Sequence, residues 1–318
     1  MSKRSKRQDL PSDIIRRRPG SLQVVATPIG NLSDLSARAR TVLSEAELIL
    51  AEDTRRTQQL LNALSLPCPP IERCDAHVER SQAERWIGRV EEGVRVVLVS
   101  DAGTPGVSDP GSFLVGLALE RRLKVEPIPG PSAVAAMISV CGFFSSSAFG
   151  FQGFFPRGER ERGDVLRALL VPDALRNCRV WVFFESPERI VSALRLIAEV
   201  LPAESLVRAA KELTKVHERI FAGSPQSVSE QVAEEVAREG ARGEWLFAFE
   251  LPVHEAAPAG AASEEKQLNW AQILDVFEGA ELRDSDLAKR ISKAYGVERR
   301  VVYEEILRRS GRKDIGGS

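Results

Sequence analysis

From residue 22 onward, short apolar and β-branched runs alternate with longer segments whose apolar positions recur every three or four residues. Residues 22–26, 48–51, 94–99 and 125–128 have few polar interruptions, the pattern of strands buried on both faces. Between the first two, Leu35, Ala39, Val42, Leu43 and Ala46 fall at helical spacing, with Ser33 placed as the N-cap and Asp34 in the first turn. Strand and helix repeating in this way predict an α/β domain with a largely parallel sheet.

The pattern restarts near residue 149. Residues 179–184, 206–210 and 245–250 read as strands, with helices over 187–200 and 228–239, so a second α/β layer is expected. The chain then divides into a basic arm (1–20), two α/β domains (21–147 and 148–253), a linker (254–267), a helical segment (268–310) and a tail (311–318). The arm sets Lys3, Arg4, Lys6, Arg7, Arg16, Arg17 and Arg18 against Asp9 and Asp13 and has little to bury. It is expected to be disordered, as a solubilising tail or as an RNA-touching segment. The linker is rich in Ala, Pro and Gly. Beyond it, Leu287, Ile291, Val297 and Val301 flank Gly296, a spacing shared by helix-turn-helix units and plain helix pairs; packing or RNA docking is the preferred reading.

Composition narrows the functional classes. In 318 residues, 44 Lys and Arg balance 45 Asp and Glu for a net charge of −1, so any nucleic-acid contact is local rather than spread over the surface. The longest apolar runs are too short to span a bilayer, and a cytoplasmic protein without membrane partners is expected. Cys68, Cys74, Cys141 and Cys178 form no C-x-x-C pair, and His77, His217 and His254 are scattered, so no metal site is expected.

The chemistry-bearing residues follow the strands. Clusters occupy 26–31, 52–55, 101–111, 129–133, 185–189 and 211–215, and ligands of open α/β sheets bind at the carboxyl ends of strands. A tight turn explains 27–31 as well as a ligand contact does. Residues 101–111 are different, because three glycines and two prolines there exceed what a turn needs and leave backbone groups open to a ligand. The fingerprints G-x-G-x-x-G, G-x-x-x-x-G-K-[ST] and G-x-S-x-G are absent from these clusters. What remains is a cofactor held largely through backbone atoms, without a diphosphate.

Six ordered motifs carry a family resemblance: V-A-T-P-I-G-N-L (25–32), A-E-D-T-R (51–55), L-V-S-D-A-G-T-P-x-x-S-D-P-G (98–111), P-I-P-G-P-S-A (127–133), F-x-E-S-P (183–187) and K-E-L-T-K-x-H-E (211–218). Over residues 22–251 the chain resembles the bacterial 16S ribosomal RNA (cytidine 2′-O)-methyltransferases, class III enzymes of the tetrapyrrole methylase family. The resemblance implies a two-domain α/β tetrapyrrole-methylase fold with a small C-terminal helical appendage. It also implies a homodimer, S-adenosyl-L-methionine folded between the domains, and a decoding-centre cytidine of 16S rRNA in the assembled small ribosomal subunit as substrate. Carried over by motif, Pro28, Gly103, Thr104, Pro105, Ser108, Ser132, Ala133, Phe184 and Leu213 are the implied cofactor-binding residues. Thr104 stands where tetrapyrrole-acting members often carry Asp, which fits the RNA subgroup. His77, Glu188 and Gly106 depart from the family pattern outside the core cofactor motif.

A ribose 2′-hydroxyl attacks a methyl group well only when its proton is accepted nearby. Asp53, Asp101, Glu185 and Glu212 are the candidate acceptors and Lys211 a candidate for stabilising negative charge, with Asp101 and Lys211 taken first. Each carboxylate is equally suited to capping a turn or pairing with a cation. Arg55, Arg56, the segment 157–162 and Arg167 are candidate phosphate contacts, and two tyrosines argue against an aromatic stacking platform. A small-molecule or tetrapyrrole methylase, a non-catalytic ribosome-assembly factor with this fold, and a DNA-binding regulator built on the C-terminal helices remain as alternatives.

Overall fold

The computed structural model describes residues 20–143, 148–170, 178–252, 285, 288–289, 291–292 and 298–309. The first half runs β1 (Ser21–Val25), α1 (Ala37–Ser44), β2 (Leu48–Ala51), α2 (Thr54–Ala63), β3 (Ile71–Arg73), α3 (Glu79–Glu91), β4 (Arg95–Val99), α4 (Ser112–Glu120), β5 (Lys124–Ile128) and α5 (Ala133–Cys141). Its five strands are all parallel in the order β3-β2-β4-β1-β5. Strand alternation sorts the core: Leu48, Leu50, Val96 and Leu98 face α3 and α4, whereas Ile49, Ala51, Val97 and Val99 face α1 and α2. The chain therefore leaves β1 toward one face and leaves the adjacent β4 toward the other. That divergence opens a crevice at the strand ends, the switch point at which open α/β sheets take ligands.

The expected strands appear within a residue of their bounds, but the first cap differs. Ser33 belongs to a short 3-10 turn (Leu32–Asp34) closed by Asn31, and α1 is capped by Ser36, whose hydroxyl accepts from the Ala39 amide. A polar residue preceding the helical pattern occurs at both positions, so periodicity alone does not choose between them. β3 was not anticipated, being three residues long and only partly buried.

The second half runs β6 (Phe149–Phe154), α6 (Glu159–Leu170), β7 (Val180–Glu185), α7 (Ile190–Val200), β8 (Leu206–Lys211), β9 (Arg219–Gly223), α8 (Pro225–Glu239) and β10 (Trp245–Glu250). The sheet order is β6-β7-β10-β8-β9, with β10 antiparallel to both β7 and β8 and β9 antiparallel to β8. This layer is mixed rather than a repeat of parallel units, because β8 turns directly back into β9 and β10 inserts centrally. Buried strands read alike in either direction, so their sequences do not reveal this. β7 and β8, both opposed to β10, run parallel to each other and end at one edge.

One face of this sheet packs under α6, α7 and α8 around Phe155, Phe183, Phe247 and Phe249. The other face receives α5 from the first half: Val134, Met137 and Cys141 lie against Val182, Ala210, Leu246 and Ala248. Near the C-terminus, α9 (Arg299–Arg309) buries Val302 and Ile306, and Ala288 and Ile291 are also buried. The basic arm through residue 19, the boundary residue 147, the linker, most of 268–298 (including Leu287, Gly296 and Val297) and the tail lie outside the described residues. Among the described residues, no helix is long and apolar enough to cross a membrane.

β7 ends in a fully buried charge. The Glu185 carboxylate, 0 % exposed, pairs with Arg162 of α6 at 3.3 Å and Arg189 at 2.5 Å and accepts from the Ser186 amide. Arg162 is itself buried and donates further to the Pro156 carbonyl and the Ser192 hydroxyl. Removing one member of such a set strands the other charge, at about 3–5 kcal/mol. Glu185→Ala is expected to lose stability of that order in denaturant titration, with Glu185→Gln losing less; unchanged stability contradicts the structural role.

Candidate active site

The loops leaving β1 and β4 are clasped across the crevice by two backbone hydrogen bonds. The Thr27 amide donates to the Gly103 carbonyl at 2.8 Å, and the Gly103 amide donates to the Thr27 carbonyl at 3.0 Å. Gly103 adopts a φ of +83°, a left-handed conformation that glycine enters without a Cβ penalty. Gly111, at +122°, starts α4 so close to the core that a Cβ would meet Leu98 Cδ2 at 2.6 Å. Within this loop the Thr104 hydroxyl donates to the Pro131 carbonyl at 3.0 Å, tying the loop after β4 to the loop after β5. Ser132 caps α5 through the Ala135 amide.

Opposite stand the ends of β7 and β8 and the start of β10. Between them lies a cavity of about 510 Å³, within the range of small-molecule sites, roughly 300–1,000 Å³. Ile29, Val107, Val134, Phe184, Leu213 and Leu246 form its apolar wall. Of the residues implied by family motif, Gly103, Thr104, Ser108, Ser132, Ala133, Phe184 and Leu213 line the cavity. Pro28 and Pro105 sit in the same loops but off the lining, where Ile29 stands instead.

The candidate catalytic groups separate. Asp101 lines the cavity; its Oδ1 accepts from the Asp53 amide at 2.9 Å and its Oδ2 pairs with Arg56 at 3.3 Å. Asp53 is not on the lining. Its carboxylate caps α2, and hydrogen bonds from the Arg55 amide and guanidinium hold it below the usual carboxylate range. Glu185 borders the cavity only through its backbone neighbourhood, since its carboxylate is buried on the α6 side. Lys211 is also turned away: its ammonium meets Glu235 and Glu239 of α8, both at 3.1 Å, and lies 5.7 Å from the Trp245 ring centroid. Burial works to lower the Lys211 pKa, but these two carboxylates overcome it and raise it. Glu212 accepts from Lys215 and from the Glu244 amide, which holds together the turn after β8. Strand parity accounts for the outcome: Val182, Phe184 and Ala210 face α5 and the cavity, so Glu185 and Lys211 face the other helices.

Two cavity carboxylates were not singled out as bases from sequence. Asp109 is pushed up to about 6, chiefly by burial, with the Ser100 hydroxyl opposing and the Asp101 charge adding to the rise. Glu52 is raised by burial and by its neighbours Asp101 and Asp109, against which Arg56 acts. The cavity floor is thus acidic, with Arg56 as a counter-charge at its edge. Only the S-D-P-G continuation of the glycine loop marked Asp109, and it reads equally as turn chemistry. Among the described residues, no group of three or more His, Cys, Asp or Glu is arranged to hold a metal ion. Cys74 and Cys141 are buried thiols pushed up to about 12, mainly by burial, and do not serve as nucleophiles. Of the expected phosphate contacts, Arg56 borders the cavity, Arg162 is committed to Glu185, and Arg167 pairs with Asp164.

Comparison with known proteins agrees with this architecture. A family model described as Tetrapyrrole (Corrin/Porphyrin) Methylases matches residues 21–228. The chain is similar to a ribosomal RNA small subunit methyltransferase I of Xylella fastidiosa, 37% identical over 90% of this chain and 98% of that one. A protein of the same name from Thermotoga maritima is 41% identical over 67% of this chain and 91% of its own. Among solved structures, a cobalt precorrin-4 methyltransferase aligns with 72% of this chain and 94% of its own at a TM-score of 0.50 and 16% identity, a likeness of fold alone. With the motifs, the two-sheet topology and the matched span in agreement, the chain belongs to the tetrapyrrole methylase family.

Proposed function

We propose that this protein transfers a methyl group from S-adenosylmethionine to the 2′-hydroxyl of a cytidine in small-subunit ribosomal RNA. The substrate reading rests on similarity to relatives named for methylation of that RNA. The observation that carries the chemistry is the cavity, with an apolar wall, exposed loop backbone and an acidic floor. This donor set suits a ligand that joins a flat apolar ring to positive charge. Bound there, S-adenosylmethionine supplies an electrophilic methyl group on a cationic sulfur.

The remaining work falls to the chain's own residues. The clasp between Thr27 and Gly103 fixes the loop backbone, and Thr104 locks that loop to Pro131. Preset geometry of this kind lowers the entropy cost of bringing two reactants into line. Asp101, with both oxygens engaged, positions Arg56 and the start of α2, and Arg56 meets RNA phosphate. Asp109 accepts the 2′-hydroxyl proton: half-buried at the cavity floor, it keeps a proton affinity near the operating pH.

Methyl transfer from labelled S-adenosylmethionine to small ribosomal subunits of a strain lacking this gene tests the reading, with the product nucleoside identified. A 2′-O-methylcytidine at one site is expected. Subunits left unlabelled, or a base-methylated nucleoside, overturn the substrate or the reaction respectively. Asp109 adds a pH signature. Its deprotonated form is the active one, so the rate rises through about pH 6 and levels above. Asp109→Asn is expected to lose that limb and about 10²–10⁴-fold in rate. Because its folded-state pKa is raised from 3.8 to about 6, ionisation costs stability as pH climbs between these values, and the Asn variant melts higher than the parent near pH 8 but equally below about pH 3, where Asp109 is neutral in both the folded and the unfolded chain. An unchanged pH profile for this variant removes Asp109 from the role.

A further inference from the structure

Strand β6 breaks its own alternation beside the cavity. In a regular strand, Phe151 and Phe154 point to opposite faces because they are an odd number of residues apart. Yet both rings meet Phe184 edge-to-face, with centroids at 4.9 Å and 5.5 Å and interplanar angles of 65° and 63°. The pairing with β7 shifts register between Phe151 and Phe154, and Gly153 in the shift takes a φ of +74°. An extra residue inserted into a strand re-aims the side chains that follow it. Here it brings Phe154 round to the cavity side. A Cβ on Gly153 would stand 3.3 Å from Ser108 Oγ, so the shifted segment also lies against the glycine-rich loop.

The re-aimed ring is not buried by the manoeuvre. Phe154 lines the cavity and remains 60 % exposed, the most exposed of the chain's described phenylalanines. Phe155, next along, is 1 % exposed in the core. An aromatic side chain left in water forgoes most of the stabilisation that burial contributes. A backbone irregularity that exposes a phenylalanine at a cavity mouth, with Phe184 set against it edge-to-face, leaves ring surface open to whatever enters. Beyond it, Arg157 and Arg160 lie exposed on the way into α6.

We propose that Phe154 is a stacking platform for a nucleobase of the substrate RNA, holding the reacting nucleotide unstacked over the cavity. The proposal rests on the RNA reading above. Flat heterocycles have two sources here, the substrate base and the adenine of the cofactor. The position at the open mouth, rather than between the glycine loop and α5, assigns Phe154 to the substrate. Base–aromatic stacking is sequence-tolerant and worth about ten- to a hundredfold in binding when the ring is removed.

The test uses the full chain with Phe154→Ala, Phe154→Leu and Phe154→Trp, each checked for an unchanged melting temperature. Calorimetry with S-adenosylhomocysteine is expected to give dissociation constants within about twofold for all forms. Methyl transfer to unmodified small subunits is expected to fall about ten- to a hundredfold in kcat/KM for the Ala and Leu variants, chiefly through KM, with Trp restoring it. Full activity of the Leu variant overturns the proposal, because apolar bulk without a π face then suffices. Loss of S-adenosylhomocysteine affinity in step with activity overturns it in favour of the cofactor's adenine. If the parent protein methylates no subunit, the RNA-methylation reading fails, and co-sedimentation with subunits decides stacking separately. Weaker binding by the Ala and Leu variants, restored by Trp, supports it, and equal binding refutes it.

Discussion

The site depends on one packing event, the burial of α5 against a sheet to which it does not belong in sequence. α5 follows β5 of the first sheet, yet Val134, Met137 and Cys141 pack on Val182, Ala210, Leu246 and Ala248 of the second. Burial of side chains of this size is worth on the order of 1.5–3 kcal/mol each. Because Ser132 and Ala133 begin that helix and line the cavity, the contact that joins the two halves also brings their strand ends face to face. A helix lodged elsewhere would leave two open crevices and no enclosed site.

Within the cleft, backbone geometry and charge have different tasks. The Thr27–Gly103 clasp and the Thr104–Pro131 hydrogen bond hold the loops without spending side-chain charge. Charge is concentrated on the floor, where Glu52, Asp101 and Asp109 crowd together and Arg56 offsets Asp101 and Glu52. Such crowding is unfavourable in the absence of a ligand, and a cationic ligand relieves it. Behind the sheet, Lys211, Arg219 and Arg238 meet Glu235 and Glu239, and Glu185 meets Arg162 and Arg189; these ion-paired sets stiffen the frame.

The first sheet was legible because its strands are buried on both faces and separated by amphipathic helices, so period and punctuation agree. The loops were legible for a related reason: glycine and proline density at 101–111 exceeds what turns require. The direction of β10 was hidden, since WLFAFE reads identically either way. Strand parity was available but unused. Once Phe184 is assigned to the cavity, Glu185 must face the opposite helices, and the same holds for Ala210 and Lys211. β6 is the reverse case, where a register shift at Gly153 defeats parity and moves Phe154 to the cavity mouth. A scarcity of tyrosine argued against a stacking surface, whereas the exposed aromatic at the mouth is a phenylalanine.

The central claim is that the space between the two sheets, bounded by Gly103, Ala133 and Leu213, holds the methyl donor. Calorimetric titration of S-adenosylhomocysteine into the protein and into Ala133→Phe, which fills that space from the start of α5, tests it most directly. One bound equivalent for the parent, and none for a variant that retains its melting transition, is the predicted result. Equal binding by both would place the donor elsewhere and contradict the account.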